Sequence, residues 1–179
     1  MKRFFYKILK FVVIFILILV AIYISFGFIS GGFKATITRS VSIDARPLAV
    51  WSVLTDFEKY PDWNPFLRIS GTQYQAGKKI QVTLLDSHGK ESETFSPKLL
   101  TYSCPDAIIW KDSLLFGSIF DRRHQFYLEI QNDGTTLFTQ TEDFSGFLVP
   151  LARLTTFKET EKQFSNMNSA LKVHAEMLQ

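Results

Sequence analysis

The chain changes character near residue 30. Residues 11–29 carry no charged side chain, and residues 11–24 are unbroken Ile, Leu, Val, Phe, Ala and Tyr. At ~1.5 Å per residue this stretch predicts a helix close to the ~30 Å of a bilayer's hydrocarbon core. Beyond it the hydrophobic period drops to two. Residues 34–44 put Ile37, Val41 and Ile43 on one face and Thr36, Thr38, Ser40 and Ser42 on the other, the pattern of a half-buried strand. Arg46-Pro47 ends it, and Val50, Trp51, Leu54 and Phe57 recur at helical spacing behind a proline suited to a first turn. Strand-like runs follow at residues 66–72, 79–85, 93–102, 107–115, 123–131 and 135–144, separated by Gly- and Pro-containing turns. Residues 150–178 then read as one long helix with a stripe of Leu154, Phe157, Phe164, Leu171, Ala175 and Leu178. Glu161 and Asn168 interrupt that stripe where a helix closing a dry core would carry Leu or Val. Either they reach water at its edge, or the helix covers something other than a dry core. A strand, short helices, hairpin-connected strands and a long final helix make an α+β order.

The last hairpin can be registered from sequence. Residues 123–131 place His124, Phe126, Leu128 and Ile130 on one face, and residues 135–144 place Phe138, Gln140, Glu142 and Phe144 on one face. A three-residue Asn132-Asp133-Gly134 loop with Gly134 left-handed pairs Leu128 with Phe138, Phe126 with Gln140 and His124 with Glu142. A two-residue turn would mix the faces. His124 and Glu142 are therefore expected side by side on the inner wall of the sheet. An imidazole beside a carboxylate there can act as an acid/base pair or orient a ligand's polar end, or it can be a buried pair satisfying its own polar groups. Trp110, with Ile108 on its face, is expected in a cavity wall or the core. Trp51, Trp63 and His174 are read as structural or surface groups.

Charge sharpens the membrane reading and removes nucleic acid as a partner. Lys2, Arg3, Lys7 and Lys10 hold four of the 20 basic residues, leaving 16 against 17 acidic residues in the rest, too even for a nucleic-acid face. The basic residues before the apolar run put the amino terminus in the cytoplasm and the following domain outside, at the cell membrane. A cleaved signal peptide is the rival, but its apolar region is usually ~7–15 residues and ends in small residues, which Phe28-Ile29-Ser30 does not offer. An anchor and tether at residues 1–33 and a domain at residues 34–179 follow. Residues 30–34 reach ~17 Å at most, which holds the domain near the membrane. The patch Phe147, Leu148, Val149, Leu151 and Leu154 either faces that membrane as a ligand entrance or closes one end of the core. Cys104 stands alone, excludes an internal disulfide and is expected buried.

The segment Ile43-Asp44-Ala45-Arg46-Pro47-Leu48-Ala49-Val50-Trp51, then Leu54-Thr55-Asp56-Phe57 and Tyr60-Pro61-Asp62-Trp63-Asn64-Pro65, resembles the opening of the START-like helix-grip superfamily (SRPBCC). Within it the likeness is to the polyketide cyclase/dehydrase and lipid-transport group. Ile108-Ile109-Trp110, His124 to Leu128 and Gln140 to Gly146 extend it, so nearly everything after residue 37 is covered. The resemblance implies a helix-grip fold, a seven-stranded antiparallel sheet curled around the carboxyl-terminal helix with a deep apolar cavity between them. A hydrophobic small molecule or lipid is the partner it implies. Trp110, His124, Phe126, Phe138, Gln140, Glu142, Phe144, Glu161, Phe164 and Asn168 are the candidate ligand-binding residues. The alternatives are a cyclase/dehydrase-type enzyme using His124 and Glu142, and a non-catalytic interaction domain.

No cofactor or metal is expected. His88, His124 and His174 lack zinc-site spacing, and no G-x-S-x-G, P-loop, G-x-G-x-x-G or Cys-His arrangement occurs.

Overall fold

The computed structural model describes residues 2–114 and 117–177. Its first element, α1 (Lys2–Ile29), is one helix of 28 residues. It is long and apolar enough to cross a membrane, with a mean hydropathy of 3.0 over an 18-residue stretch. β1 (Lys34–Ile43) follows, with Ile37 and Ile43 buried. Its outer-face hydroxyls pair with those of a neighbouring strand, Thr38 with Thr141 and Ser40 with Thr139. α2 (Pro47–Thr55) buries Val50, Trp51, Val53 and Leu54, the face its spacing predicts. A 3-10 turn at Phe57–Lys59 and the short α3 (Tyr60–Trp63) complete this corner. The corner is fixed by the buried Tyr60 hydroxyl, which donates to the Leu54 carbonyl at 2.7 Å. Asn64 then turns the chain: its Oδ1 accepts from the Phe66 and Leu67 amides, both at 2.9 Å, before the sheet begins.

Seven antiparallel strands follow β1. They are β2 (Leu67–Ser70), β3 (Gln81–Leu85), β4 (Glu91–Phe95), β5 (Lys98–Ser103), β6 (Ala107–Leu114), β7 (Phe120–Ile130) and β8 (Thr136–Ser145). They lie in a five-stranded sheet of order β1-β8-β7-β6-β5 and a three-stranded sheet of order β2-β3-β4. The run expected as one strand at residues 93–102 is split into β4 and β5. Pro97 lies in the gap and has no N–H to give a ladder. The sheets stay joined there, since Lys79 bridges Lys98 and the Pro97 carbonyl accepts from Ile80. With the split set aside, this is the seven-stranded curved sheet of a helix grip. The last hairpin has the expected register, with Leu128 opposite Phe138, Phe126 opposite Gln140 and His124 opposite Glu142. Gly134 has φ +87°, and its amide closes the three-residue loop on the Gln131 carbonyl.

The final helix is two helices. α4 (Val149–Thr155) ends at Thr156, and α5 (Phe157–Glu176) begins directly after it. Two adjacent β-branched threonines make the junction easy to break, and the break has a packing consequence. Phe157 turns in to meet the Phe144 ring at 4.6 Å, while Leu154 is left 69% exposed, outside the stripe in which its spacing placed it. Leu178 and Leu115 lie outside the described residues. α5 buries Phe164, Met167, Asn168, Leu171 and Ala175 against the sheet. Cys104, expected buried, is exposed. It occupies the turn between β5 and β6, where hairpin geometry leaves side chains in water.

Gly146 makes the sharp exit from β8 into α4. Its φ is +126°, and a Cβ there would stand 2.6 Å from the Ile119 carbonyl oxygen. Gly146→Ala is expected to cost about 2–3 kcal/mol, since the backbone strain and the clash have no flexible side chain to absorb them. Urea unfolding measures this, and a loss under ~0.5 kcal/mol would show that the turn tolerates a Cβ.

Candidate functional site

The inner face of the sheet is built in cross-strand rows. Leu99, Trp110, His124, Glu142 and Ile37 form one row across β5, β6, β7, β8 and β1. The next row toward α4 joins Asp112, Arg122 and Phe144. The row on the other side joins Ile108, Phe126, Gln140 and Arg39. α5 lies over these rows, and most of the space beneath it is solid. Phe126, Phe138, Gln140, Phe164, Met167 and Leu171 are fully buried and packed together. The deep cavity implied by the resemblance is therefore reduced to a chamber of about 150 Å³ at the end nearest α4. Its walls include Leu84, Phe95, Trp110, His124, Glu142 and Phe144, with Thr160 and Gln163 of α5 above. A vestibule of about 290 Å³ shares Glu93, Phe120, Arg122 and Thr156 with it and opens between Leu114, Leu148 and Leu151. Three larger hollows are open surface grooves: two, of about 330 and 510 Å³, lie around Trp63, and one of about 460 Å³ lies beside Lys34, Arg123 and Asp143.

The candidate residues fall into three groups. Trp110, His124, Glu142 and Phe144 line the chamber. Phe126, Phe138, Gln140 and Phe164 are the packed floor beside it, and Phe164 sets its ring edge-on to His124 at 5.2 Å. Glu161 and Asn168 belong to a seam between α5 and β1, away from the chamber. Glu161 accepts from Arg39 at 2.6 Å, and Asn168 donates its amide to the Arg39 carbonyl at 3.1 Å. The two polar positions in the stripe thus match a polar edge strand.

His124 is 3% exposed and sandwiched. The Trp110 ring stacks on it at 4.5 Å and 5°, and Phe126 meets it edge-on at 4.7 Å. The Gln140 amide nitrogen lies 3.2 Å from His124 Nε2. An amide N–H has only a lone pair to donate to, so this contact is a hydrogen bond in the tautomer that carries its proton on Nδ1. Nδ1 stands 3.8 Å from Glu142 Oε2, close enough for attraction but too long for a hydrogen bond. In that tautomer the basic nitrogen of the imidazole is occupied by protein, and Glu142 accepts no hydrogen bond from His124.

Sequence reasoning missed Arg122. It donates to both oxygens of Glu93, at 2.9 and 2.8 Å, and to Asp112 at 3.1 Å, with its guanidinium 4.2 Å above the Phe95 ring. It forms a strut between chamber and vestibule and ties the three-stranded sheet to the five-stranded one. Burial works against its charge, but the bond and charge of Glu93, the charge of Glu142 and the bond to Asp112 outweigh it. The guanidinium is held above its ordinary pKa. Period-two spacing from His124 could have placed it inside. Trp51 and Trp63 are buried in the α2–α3 corner, His174 packs on the Trp63 ring at 5.9 Å, and His88 sits in the β3–β4 turn. Among the described residues no three His, Cys, Asp or Glu side chains gather as a metal site needs.

Solved structures share this architecture at low sequence identity. The Zhui aromatase/cyclase from Streptomyces sp. R1128 superposes with a TM-score of 0.60 at 21% identity, over 80% of this chain and 94% of that one. A START superfamily protein from Mycobacterium smegmatis matches with a TM-score of 0.55 at 18% identity, over 80% and 99%. The protein CV1439 from Chromobacterium violaceum matches with a TM-score of 0.59 at 16% identity, over 79% and 96%. No curated protein sequence matches the chain. The family model described as polyketide cyclase / dehydrase and lipid transport matches residues 34–176, from the start of β1 to the end of α5, and the chain belongs to that family.

Proposed function

We propose that the chain is a membrane-anchored binding protein for a hydrophobic small molecule or lipid. In this reading α1 is the anchor, residues 34–179 are the binding domain, and the domain stands outside the cytoplasm as the basic amino terminus directs. The observation that carries the binding reading is the apolar chamber and its open vestibule between Leu114, Leu148 and Leu151. A dry cavity of ~150 Å³ accommodates about one benzene-sized ring, so the chamber suits a small head or a chain end while the vestibule holds the bulk of the ligand. The polar groups narrow its chemistry. Among the described residues Arg122 is the single Lys or Arg of the chamber wall, facing Glu93 and Glu142, and it is already spoken for by Glu93 and Asp112. An anionic head would meet a surplus of carboxylate, so the ligand's polar end is uncharged, a hydroxyl or carbonyl.

The test is denaturing mass spectrometry of organic extracts from gently purified full-length protein, compared with Thr160→Phe, which fills the chamber from α5. A reproducible neutral amphiphile in the wild type, reduced at least about tenfold in a folded Thr160→Phe, is expected; a loss of ~1.4 kcal/mol in binding suffices for that. Empty extracts from both proteins, or a fatty acid or phospholipid bound equally by both, overturn it.

The second reading is a cyclase/dehydrase-type enzyme, supported by His124 and Glu142 lying together on the chamber wall. The 3.2 Å contact of His124 Nε2 with Gln140 weighs against it, because a general base would have to leave that contact to reach a substrate. Turnover of an aromatic polyketide that is lost in Glu142→Gln while the extract stays empty would replace the binding reading with this one.

A further inference from the structure

The carboxyl-terminal end of α1 does not trail away from the grip; it is clamped to it. Arg153 of α4 donates to the carbonyls of Ser30, Gly31 and Lys34. These lie at and just beyond the end of α1, where a helix leaves carbonyls without partners and a lipid environment supplies none. Tyr23 donates its hydroxyl to the Phe147 carbonyl at 2.7 Å, and the two rings meet at 4.5 Å. Phe33 stacks on Phe147 at 6.2 Å and covers Gly27, where a Cβ would stand 2.3 Å from that ring. Glycine is what lets the tether fold back so closely.

This clamp fixes a height. At 1.5 Å per residue, Tyr23 lies about 9 Å below the end of α1 at Ile29. If α1 spans the membrane, Tyr23 lies within the outer end of the apolar span, and so does Phe147, to which it is bonded. Leu151 and Leu154, three apart on α4, continue from Phe147 as an exposed apolar edge, at 42%, 49% and 69% exposure. Leu148 and Leu151 are also walls of the vestibule.

We propose that α4 is an interfacial helix, held by Arg153 and Tyr23 with Phe147, Leu151 and Leu154 sunk into the boundary between head groups and acyl chains of the outer leaflet. The vestibule then opens into the membrane, and a ligand enters sideways from the lipid without crossing water. Interfacial helices bury their apolar face ~5–10 Å into that boundary, which is the depth the Tyr23 bond dictates. The inference rests on α1 being a membrane anchor, and the experiment separates the two.

Full-length protein with Cys104→Ser and a single nitroxide label is reconstituted in lipid vesicles, and paramagnetic access of oxygen and of a water-soluble nickel chelate is measured. Labels at Leu17→Cys, Leu151→Cys, Leu154→Cys and Ile130→Cys report the span, the two α4 positions and the far hairpin. Oxygen access exceeding nickel access at 17, 151 and 154, with the reverse at 130, is expected. Adding Arg153→Gln is expected to shift 151 and 154 toward the aqueous pattern while 17 stays deep. An aqueous label at 17 removes the anchor and the docking together. A deep 17 with aqueous 151 and 154 overturns the docking and leaves the anchor standing. Labels at 151 and 154 shielded from both reagents overturn it in favour of a second protein copy on that edge. Labels still deep after Arg153→Gln overturn the clamp.

Discussion

Arg122→Ala is expected to lower the free energy of unfolding by about 3 kcal/mol, the low end of what breaking a buried ion pair costs. The low end applies because Glu93 is nearly half exposed and can rehydrate once abandoned, whereas Asp112 and Glu142, at 19% and 12% side-chain exposure, cannot. Two oxygens of Glu93 and one of Asp112 lose their donor together, and Phe95 loses the cation over its ring. The strut also spans both sheets, so its loss is expected to loosen β2-β3-β4 relative to β5. Arg122→Met separates charge from packing by keeping an apolar stem on Phe95. If Arg122→Met unfolds at the same urea concentration as the wild type, the charge network is not what stabilises this wall. If both variants fall together, it is. The triple variant Arg122→Met, Glu93→Gln, Asp112→Asn is expected to recover much of the loss, since no uncompensated carboxylate then remains beside the chamber except Glu142.

The fold was legible where local rules and burial agreed. Alternation along β7 and β8, with a glycine able to take the left-handed position at 134, was enough to set His124 opposite Glu142. The Pro47 start of α2 and its buried face followed from spacing alone. What escaped was decided by partners distant in sequence. Within residues 150–178 the adjacent Thr155 and Thr156 are the only local sign of a break, and Leu154, apolar enough for the core, gives no sign that it ends 69% exposed. Arg122 escaped because the expected strand starts at residue 123, three residues after β7 begins, and its partner Glu93 lies on the other sheet. The chamber's size could not be read from composition: 18 phenylalanines can wall a cavity or fill one, and here Phe126, Phe138 and Phe164 mostly fill it. Asn168 and Glu161 were noticed as exceptions to a stripe, but their use in a seam with Arg39 depended on the β1–α5 packing.

Trp110→Ala is expected to have the other large effect, about 3–5 kcal/mol of lost stability, because the indole is nearly buried and touches both floor and chamber. Its ring covers one face of His124 at 4.5 Å and meets Phe126 edge-on at 5.3 Å, so its removal strips contacts from two neighbours at once. The vacated volume is continuous with the chamber and adds to its 150 Å³. Stability and ligand choice are therefore coupled at this residue, and Trp110→Leu separates them: it keeps part of the packing while still enlarging the chamber. In the extract assay a folded Trp110→Leu is expected to retain bulkier neutral amphiphiles than the wild type. An unchanged ligand profile in that variant would place the ligand outside the chamber, and a loss under ~1 kcal/mol for Trp110→Ala would mean the indole is not part of the packed wall at all. Both outcomes bear on one physical question, whether the space beside His124 is held open by rigid aromatic walls. A chamber so small discriminates by shape only if those walls do not yield, which is why its largest side chain carries the sharpest test.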